Sequence, residues 1–499
     1  MIYFIHKEMA LHRIKLSWVI GILSTCLFAF LLMVRLDLFG GKKVDRQAHP
    51  ASPSLKQADR DLWMNIFQKD RKIGYVHRQF SKTEKGYRSQ ESVFMRVNTL
   101  GMVQDIRFRT IADLLIDFTL STFNFDLQSS LFRFKARGGV TGNILTIFAG
   151  PAGFERKTEV LIEKGIYLPS SLLETVILEK MKQGESRTFE VFDPTVAAMR
   201  PAVVMILGEE PLSIHGHQEM ALKASVHFMG ASQFAWIGKD GIILREEGLL
   251  GIHLDRTSKE EAFRNISAGG EDLTEATSIV SNKILSHPEQ LKELKVKVSG
   301  IREKEIFIGD GRQSFQDGIL TIRKEDVPAS NFRNKTEKII PALKRYLEPT
   351  PFIQSDHPEI RAKVREIVSS GDSDWVKANK LAVWVNQHIQ KRPVLSVPNA
   401  LETLKNRVGD CNEHAVLLAA LLKASHIPAQ VEAGLVYQNG RFYYHAWNAL
   451  YLGRWITADS VMGQLPTDVT HLCFVRGTEG QIDLMGVIGR VRLEILSTF

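Results

Sequence analysis

Eight consecutive apolar residues, Ala415 to Leu422, follow a Gly-Asp-Cys entry at positions 409–411. A helix built on that run is apolar all round, so it is stable only where other elements cover every side. The C-terminal part of this chain must therefore fold around a central helix. Asp410 caps that helix and Gly409 permits a tight entry, which sets Cys411 in its first turn. The positive end of a helix favours thiolate, which predicts a lowered thiol pKa and a nucleophilic sulfur at Cys411. First-turn backbone N–H groups are placed to stabilise an oxyanion on an attacked carbonyl.

Downstream the hydrophobic period changes to two. Ala429–Tyr437 reads as a strand, Gln438-Asn439-Gly440-Arg441 as a hairpin turn, and Phe442–Tyr451 as the returning strand. Tyr443, His445, Trp447 and Ala449 share one face of that strand. After the turn at Leu452-Gly453-Arg454, Trp455, Thr457 and Asp459 share one face of a third strand. If the two faces coincide, His445 and Asp459 lie side by side and the helix aims Cys411 at His445. A nucleophile, a base and an orienting acid then meet, the thiol–imidazole–carboxylate arrangement of acyl transfer. Upstream, Asp374–Gln390 has one apolar face and Ala400–Lys405 makes a short helix.

Other uses of the same residues compete with this reading. His414, three residues after Cys411, is a rival base on the same helix face, with no evident orienter. Cys411, His414, His471 and Cys473 contain a Cys-x-x-His spacing, although His-x-Cys is tight for zinc. Cys411 and Cys473 could pair as a disulfide outside the cytoplasm, while Cys473 also suits a strand core. Trp384 and Gln387 read as helix residues that could also position a substrate or an oxyanion, and Trp447 and Trp455 read as packing residues.

Four motifs fall in one order: Gly409-Asp410-Cys411-Asn412-Glu413-His414-Ala415, His426-Ile427-Pro428-Ala429, Tyr444-His445-Ala446-Trp447-Asn448 and Trp455-Ile456-Thr457-Ala458-Asp459. In these motifs the chain resembles the transglutaminase-like superfamily in its microbial, membrane-linked branch. Gly463-Gln464 and Asp468-Val469-Thr470-His471 look like the same branch. The resemblance implies a papain-like α+β fold over the C-terminal ~150 residues, with Cys411 as nucleophile, His445 as base and Asp459 as orienting carboxylate. It implies no metal or cofactor for the chemistry. Ser460 departs from the Asp-Pro common in the family.

The remaining chain reads as support. Leu62 to about Leu285 is strand-like: Phe118–Ser121 and Phe132–Lys135 alternate, and Phe234–Leu244 reads as a hairpin. Ser170–Lys182 and Lys259–Arg264 look helical. Lys72–His77 and Leu244-Arg245-Glu246 resemble half-barrel domains of bacterial envelope proteins related to lipoprotein carriers. Such a domain positions its neighbour or binds a lipid, glycan or peptide. Leu294–Val298 and Gly318–Ile322 form a small β connector. Residues 17–34 carry no charge and would span ~27 Å as a helix, enough to cross a bilayer core. A signal anchor is expected, in preference to a cleaved signal or a lipid-modified Cys26.

These readings divide the chain into a tail (1–16), a transmembrane anchor (17–34), a linker (35–61), a β-rich half-barrel-like domain (62–285), a β connector (286–348) and a transglutaminase-like domain (349–499). The fold class is α+β. The net charge of +8 on 499 residues comes with no dense basic cluster, which argues against nucleic acid as partner. The expected protein is a single-pass membrane protein with an extracytoplasmic body, acting on protein or peptide substrates, cell-wall peptides included. Its Cys411–His445–Asp459 triad would hydrolyse or transamidate amide bonds through a thioester. The alternative is a catalytically silent envelope scaffold that binds a peptide or glycan.

Overall fold

The computed structural model describes residues 59–477 and 487–499, apart from 131, 151–154, 215, 268, 302–310 and 328–340. The expected anchor 17–34, with Cys26, and most of the linker 35–61 lie outside the described residues. Among the described residues no helix is long and apolar enough to cross a membrane.

The N-terminal region is one 14-stranded antiparallel sheet. Strands β1 (Arg60–Gln68), β2 (Arg71–Thr83), β3 (Gly86–Thr99), β4 (Met102–Leu114), β5 (Leu120–Gln128), β6 (Arg133–Thr141), β7 (Ile144–Gly150) and β8 (Arg156–Leu161) meander outward from the centre. Helix α1 (Leu172–Leu178) follows. Strands β9 (Ser186–Asp193), β10 (Ala198–Ile214), β11 (His217–Phe228), β12 (Ala231–Ile237), β13 (Ile243–Glu247) and β14 (Ile252–Thr257) then return until β14 pairs with β1. The sheet curls, since Phe123 on β5 and Phe192 on β9 bring their rings to 4.9 Å although nine strands separate them in order. Phe134, Leu145, Ile147, Phe189, Val204 and Ile206 line the buried face, with Leu172 and Val176 of α1 packed against it. Alternation along β6 turns Phe134 inward and Arg133 and Lys135 outward, as the sequence predicts, whereas Phe118 and Thr119 lie in the turn before β5 and are both buried instead of alternating.

The following elements link the two halves. β15 (Ile279–Val280) leaves the large sheet and pairs with β22 (Arg441–Tyr451). β16 (Glu293–Ser299), β17 (Gln313–Gln316) and β18 (Ile319–Arg323) form the connector sheet. The last strand, β25 (Arg492–Thr498), returns to pair with β16, a long-range pairing with no local sequence signal.

The C-terminal region is α+β. Helices α2 (Pro358–Ile367), α3 (Asp374–His388) and α4 (Ala400–Asn406) precede α5 (Cys411–Ala424), and the short parallel pair β19 (Gln390–Lys391) and β20 (Val408–Gly409) lies on either side of α4 in sequence. Strands β21 (Ala429–Gln438), β22, β23 (Trp455–Ala458) and β24 (His471–Arg476) make its sheet. α5 is covered by α2, α3 and α4 and by β21 and β22. Every residue from Glu413 to Lys423 is buried, which satisfies the apolar run.

The β-rich region touches the segment that leads to Cys411. Phe132, 1% exposed, packs with Val394 and Val408. Gln104 Nε2 donates to the Pro393 carbonyl at 3.0 Å, and Phe134 stacks on Phe352 with ring centroids 5.9 Å apart. Leu418 is fully buried in the middle of α5. Leu418→Ala is expected to lower unfolding stability by roughly 3 kcal/mol, read as a shift of the urea midpoint of the C-terminal region.

Candidate active site

Cys411 begins α5 because a capping box closes there. The Asp410 carboxylate accepts the Asn412 N–H at 2.8 Å, and the Glu413 carboxyl accepts the Asp410 N–H at 3.0 Å. Glycine is needed just before the cap, since a Cβ at Gly409 would fall 2.2 Å from the Cβ of Glu413. Ser396 donates its hydroxyl to the far side of Glu413. Burial and the neighbouring Asp410 push the Glu413 carboxyl well above its ordinary range.

The same surroundings correct the expectation of a lowered thiol pKa. Cys411 is half-buried as a residue. Burial of its sulfur, then the charge of Asp410, push the thiol up, with Glu413 and Asp459 adding to the effect. The N–H of Ala446, donating to the sulfur, pulls the other way but does not prevail. The helix dipole favours thiolate only modestly even in the first turn, and burial of the sulfur together with three nearby acids outweighs it. The first-turn N–H groups of Asn412 and Glu413 are taken up by the Asp410 carboxylate.

His445 and Asp459 come together as hydrogen-bonded partners, Nε2 to Oδ2 at 2.7 Å, on side chains 9% and 1% exposed. The antiparallel register of β22 and β23 pairs Asn448 with Ala458 and Ala449 with Thr457. Asp459 follows immediately, and its backbone exchanges two hydrogen bonds with Gln464, at 2.8 and 2.9 Å, closing a turn. Its Oδ1 accepts the N–H groups of Val461 at 2.7 Å and Met462 at 3.0 Å. Burial opposes ionisation of Asp459, yet the charge and hydrogen bond of His445 and the bond from His471 hold the carboxyl far below its usual range. Cys411 stands beside Ala446, the neighbour of His445, so α5 and β22 bring the three named residues into one region.

Several contacts of this region were not foreseen from sequence. His471 Nε2 lies 3.1 Å from Asp459 Oδ2. The sequence marks His471 only as a member of a zinc grouping with Cys411, His414 and Cys473 and by the family likeness of Asp468-Val469-Thr470-His471, not as a partner of Asp459. Asn386 on α3 donates to the Ser460 and Val461 carbonyls at 2.8 and 3.2 Å, fixing the turn after Asp459. Asn448 donates to the Ala415 carbonyl at 2.8 Å and ties β22 to α5. Arg312, just before β17, donates to the carbonyls of Thr467, Asp468 and His471 at 2.8, 2.8 and 3.1 Å. Isolated asparagines and an arginine from another sheet carry no spacing that marks them in advance.

The competing groupings separate. His414 turns its Nδ1 to the Asp410 carbonyl at 2.7 Å and is fully buried, and burial lowers its proton affinity. Cys411 and Cys473 are both free thiols, and Cys473 donates to the Val475 carbonyl at 3.5 Å. Trp384 stacks on His388 with centroids 4.8 Å apart and lies under Arg407. Gln387 is exposed. Trp447 is buried and donates to Glu432 at 2.9 Å, a packing role. His445, Asp459 and His471 place three possible metal-ligand atoms within 4.8 Å of one another. Both ring nitrogens, however, aim at one Asp459 oxygen at hydrogen-bond distances. That suits two proton donors sharing an acceptor rather than lone pairs converging on an ion at ~2.0–2.2 Å.

Residues 361–460 match the model of the transglutaminase-like superfamily. The C-terminal part of this chain therefore carries a transglutaminase-like domain, as its four motifs imply. No curated protein matches the chain. Among solved structures, a candidate cysteine protease of Cytophaga hutchinsonii is similar at 13% identity and TM-score 0.29, over 42% of this chain and 84% of that one. A β-barrel-like protein of a domain of unknown function from Brucella abortus is similar at 10% identity and TM-score 0.32, over 41% of this chain and 100% of that one. A candidate protease of Parabacteroides distasonis is similar at 13% identity and TM-score 0.19, over 52% of this chain and 63% of that one. At such TM-scores the likeness is no basis for transferring an activity.

The Glu413 carboxyl yields a pH prediction. Its midpoint in the folded chain lies above the ordinary 4.5, so the folded chain binds that proton more tightly than the unfolded chain. The stabilisation is complete below pH 4.5 and is lost as pH rises through the folded midpoint. Glu413→Gln cannot titrate. The melting temperature of the variant relative to the native chain is expected to rise between pH 5 and pH 8, by at least about 2 °C, measured by thermal denaturation at both pH values.

Proposed function

We propose that this protein is a thiol enzyme that acts on amide or peptide carbonyls by acyl transfer, using Cys411, His445 and Asp459. The observation that carries this reading is the 2.7 Å bond between His445 Nε2 and a buried Asp459 that is saturated with donors. With Nε2–H committed to Asp459, the Nδ1 lone pair of His445 is left to act as base. The thiol is protonated at rest, so its proton passes to Nδ1 as the sulfur attacks the carbonyl carbon. The C–N bond then breaks, the imidazolium returns the proton to the leaving amine, and a thioester remains on Cys411. Water or a second amine, deprotonated by His445, releases the acyl group as acid or new amide. Since Asp410 occupies the N–H groups of Asn412 and Glu413, the backbone N–H of Cys411 itself is the proposed oxyanion donor.

Hydrolysis is favoured over cross-linking because water is abundant and no amine-binding feature is evident in the sequence. The proposed setting is extracytoplasmic, with residues 17–34 as membrane anchor and protein or peptide as substrate. The half-barrel-like sheet then acts chiefly as a wall that holds residues 393–408 in place beside Cys411.

Stoichiometric labelling of Cys411 by iodoacetamide tests the assignment. Labelling is expected to slow by about 10²-fold or more in His445→Ala and by at least tenfold in Asp459→Asn, with the fold retained by circular dichroism. Slow labelling that His445→Ala leaves unchanged would instead mark a silent scaffold. Peptide release and amine incorporation, assayed side by side, separate hydrolysis from transfer.

A further inference from the structure

His471 is fully buried, and both of its ring nitrogens face carboxylates. Nε2 lies 3.1 Å from Asp459 Oδ2 and Nδ1 lies 3.3 Å from Asp468 Oδ1. A neutral imidazole has one N–H and one lone pair. In that form one contact would set a lone pair against a carboxylate oxygen inside the protein. Only the doubly protonated ring satisfies both.

The surrounding bonds form a closed circuit. The backbones of Asp459 and Gln464 pair with each other, and the Gln464 side chain donates to Asp468 Oδ2 at 2.9 Å. Asp468 Oδ1 also accepts from the Thr470 N–H and hydroxyl, at 2.8 and 2.6 Å. His471 completes the ring back to Asp459. Arg312 holds the carbonyls of this segment from outside.

We propose that His471 is a standing cation that positions Asp459, keeping its carboxylate ionised and its Oδ2 turned to His445. The inference rests on reading Cys411, His445 and Asp459 as one reacting unit. His471 touches no reacting atom and acts only through Asp459. Burial of the ring opposes its charge, and the bonds to Asp459 and Asp468 outweigh that, leaving it more readily protonated than an ordinary histidine.

The groups facing this pair come from four directions. His445 and Trp447 stand on β22, with the His445 and Trp447 rings 6.0 and 5.2 Å from that of His471, and Glu432 behind Trp447. Cys411, Asp410, Glu413 and His414 belong to α5 and its cap. Asp468 lies in the loop before β24. Arg312 comes from the connector, paired with Glu325 at 3.6 Å. Arg312 meets the backbone here and Glu325 offsets its charge. His471 is thus the cation in direct contact with Asp459 besides the base it orients.

His471→Gln keeps a side-chain donor and removes the charge. Losing a cation 6.0 Å from the His445 ring removes a charge that opposes a proton on that base, so its assistance to Cys411 is lost at a higher pH and the acid limb of Cys411 reactivity moves upward. The test is the rate of Cys411 alkylation by iodoacetamide from pH 3.5 to 9 in the full chain. His471→Gln is expected to shift the acid limb up by about one pH unit while the rate at pH 8 changes by less than about threefold. A purely structural role would lower the rate by one factor at all pH values, and that parallel profile would overturn the proposal. The second measurement is nitrogen NMR of the ¹⁵N-histidine-labelled chain, with His471→Gln supplying the assignment. Two ring N–H signals at His471 persisting above pH 8 support the standing cation, and a single N–H at neutral pH overturns it. If Cys411 of the native chain is unreactive at every pH, the enzyme assignment fails and the role of His471 with it. The ring signals then show whether the cation exists as a structural group alone.

Discussion

Helix α5 has no polar face, and the need to bury it on every side organises the C-terminal half of the protein. Three helices and two strands are recruited to cover it. Once covered, the helix can present chemistry only at its ends. The capping box at Gly409, Asp410 and Glu413 makes the N-terminal end a rigid platform, and Asn448 ties that end to β22 through the Ala415 carbonyl. Cys411 therefore occupies a place determined by packing rather than by loop conformation.

The candidate site is equally dependent on segments far away in sequence. Arg312 holds the Thr467–His471 backbone, and Gln313 pairs its side-chain amide with the backbone of Cys473 at 2.7 and 3.0 Å. Both come from the connector sheet, which the chain's last strand completes. On the other flank Phe132 and Gln104 of the large sheet press on the stretch leading to Cys411. The β-rich regions thus border the candidate site and are not appendages joined by a flexible tether.

Electrostatics at the site follow from desolvation. The Cys411 sulfur and the Glu413 carboxyl are pushed toward their neutral forms, first by burial and then by the charge of Asp410. Asp459 remains charged in the same interior because four hydrogen bonds converge on it. A neutral thiol beside a firmly ionised acid suits a reaction in which the imidazole moves one proton at the moment of attack.

Much of this was written in local pattern. The apolar run from Ala415 to Leu422, the Asn-Gly turn at residues 439–440 and the alternation of Phe132–Lys135 specify a buried helix, a hairpin and a half-buried sheet. Each of those signals depends on neighbours within a few residues. The spacing of Cys411, His445 and Asp459 was legible for the same reason, since helix start and strand face are local properties. The charge state of the thiol, the second histidine on Asp459 and the grip of Arg312 were not. They arise from burial and from contacts outside the local pattern, as when the Arg312 side chain reaches the His471 backbone carbonyl. Sequence alone singled out Cys411, His445 and Asp459 as candidates. Tertiary packing decided which of them are desolvated and which are paired, because burial and charge contact exist only once distant segments share one interior.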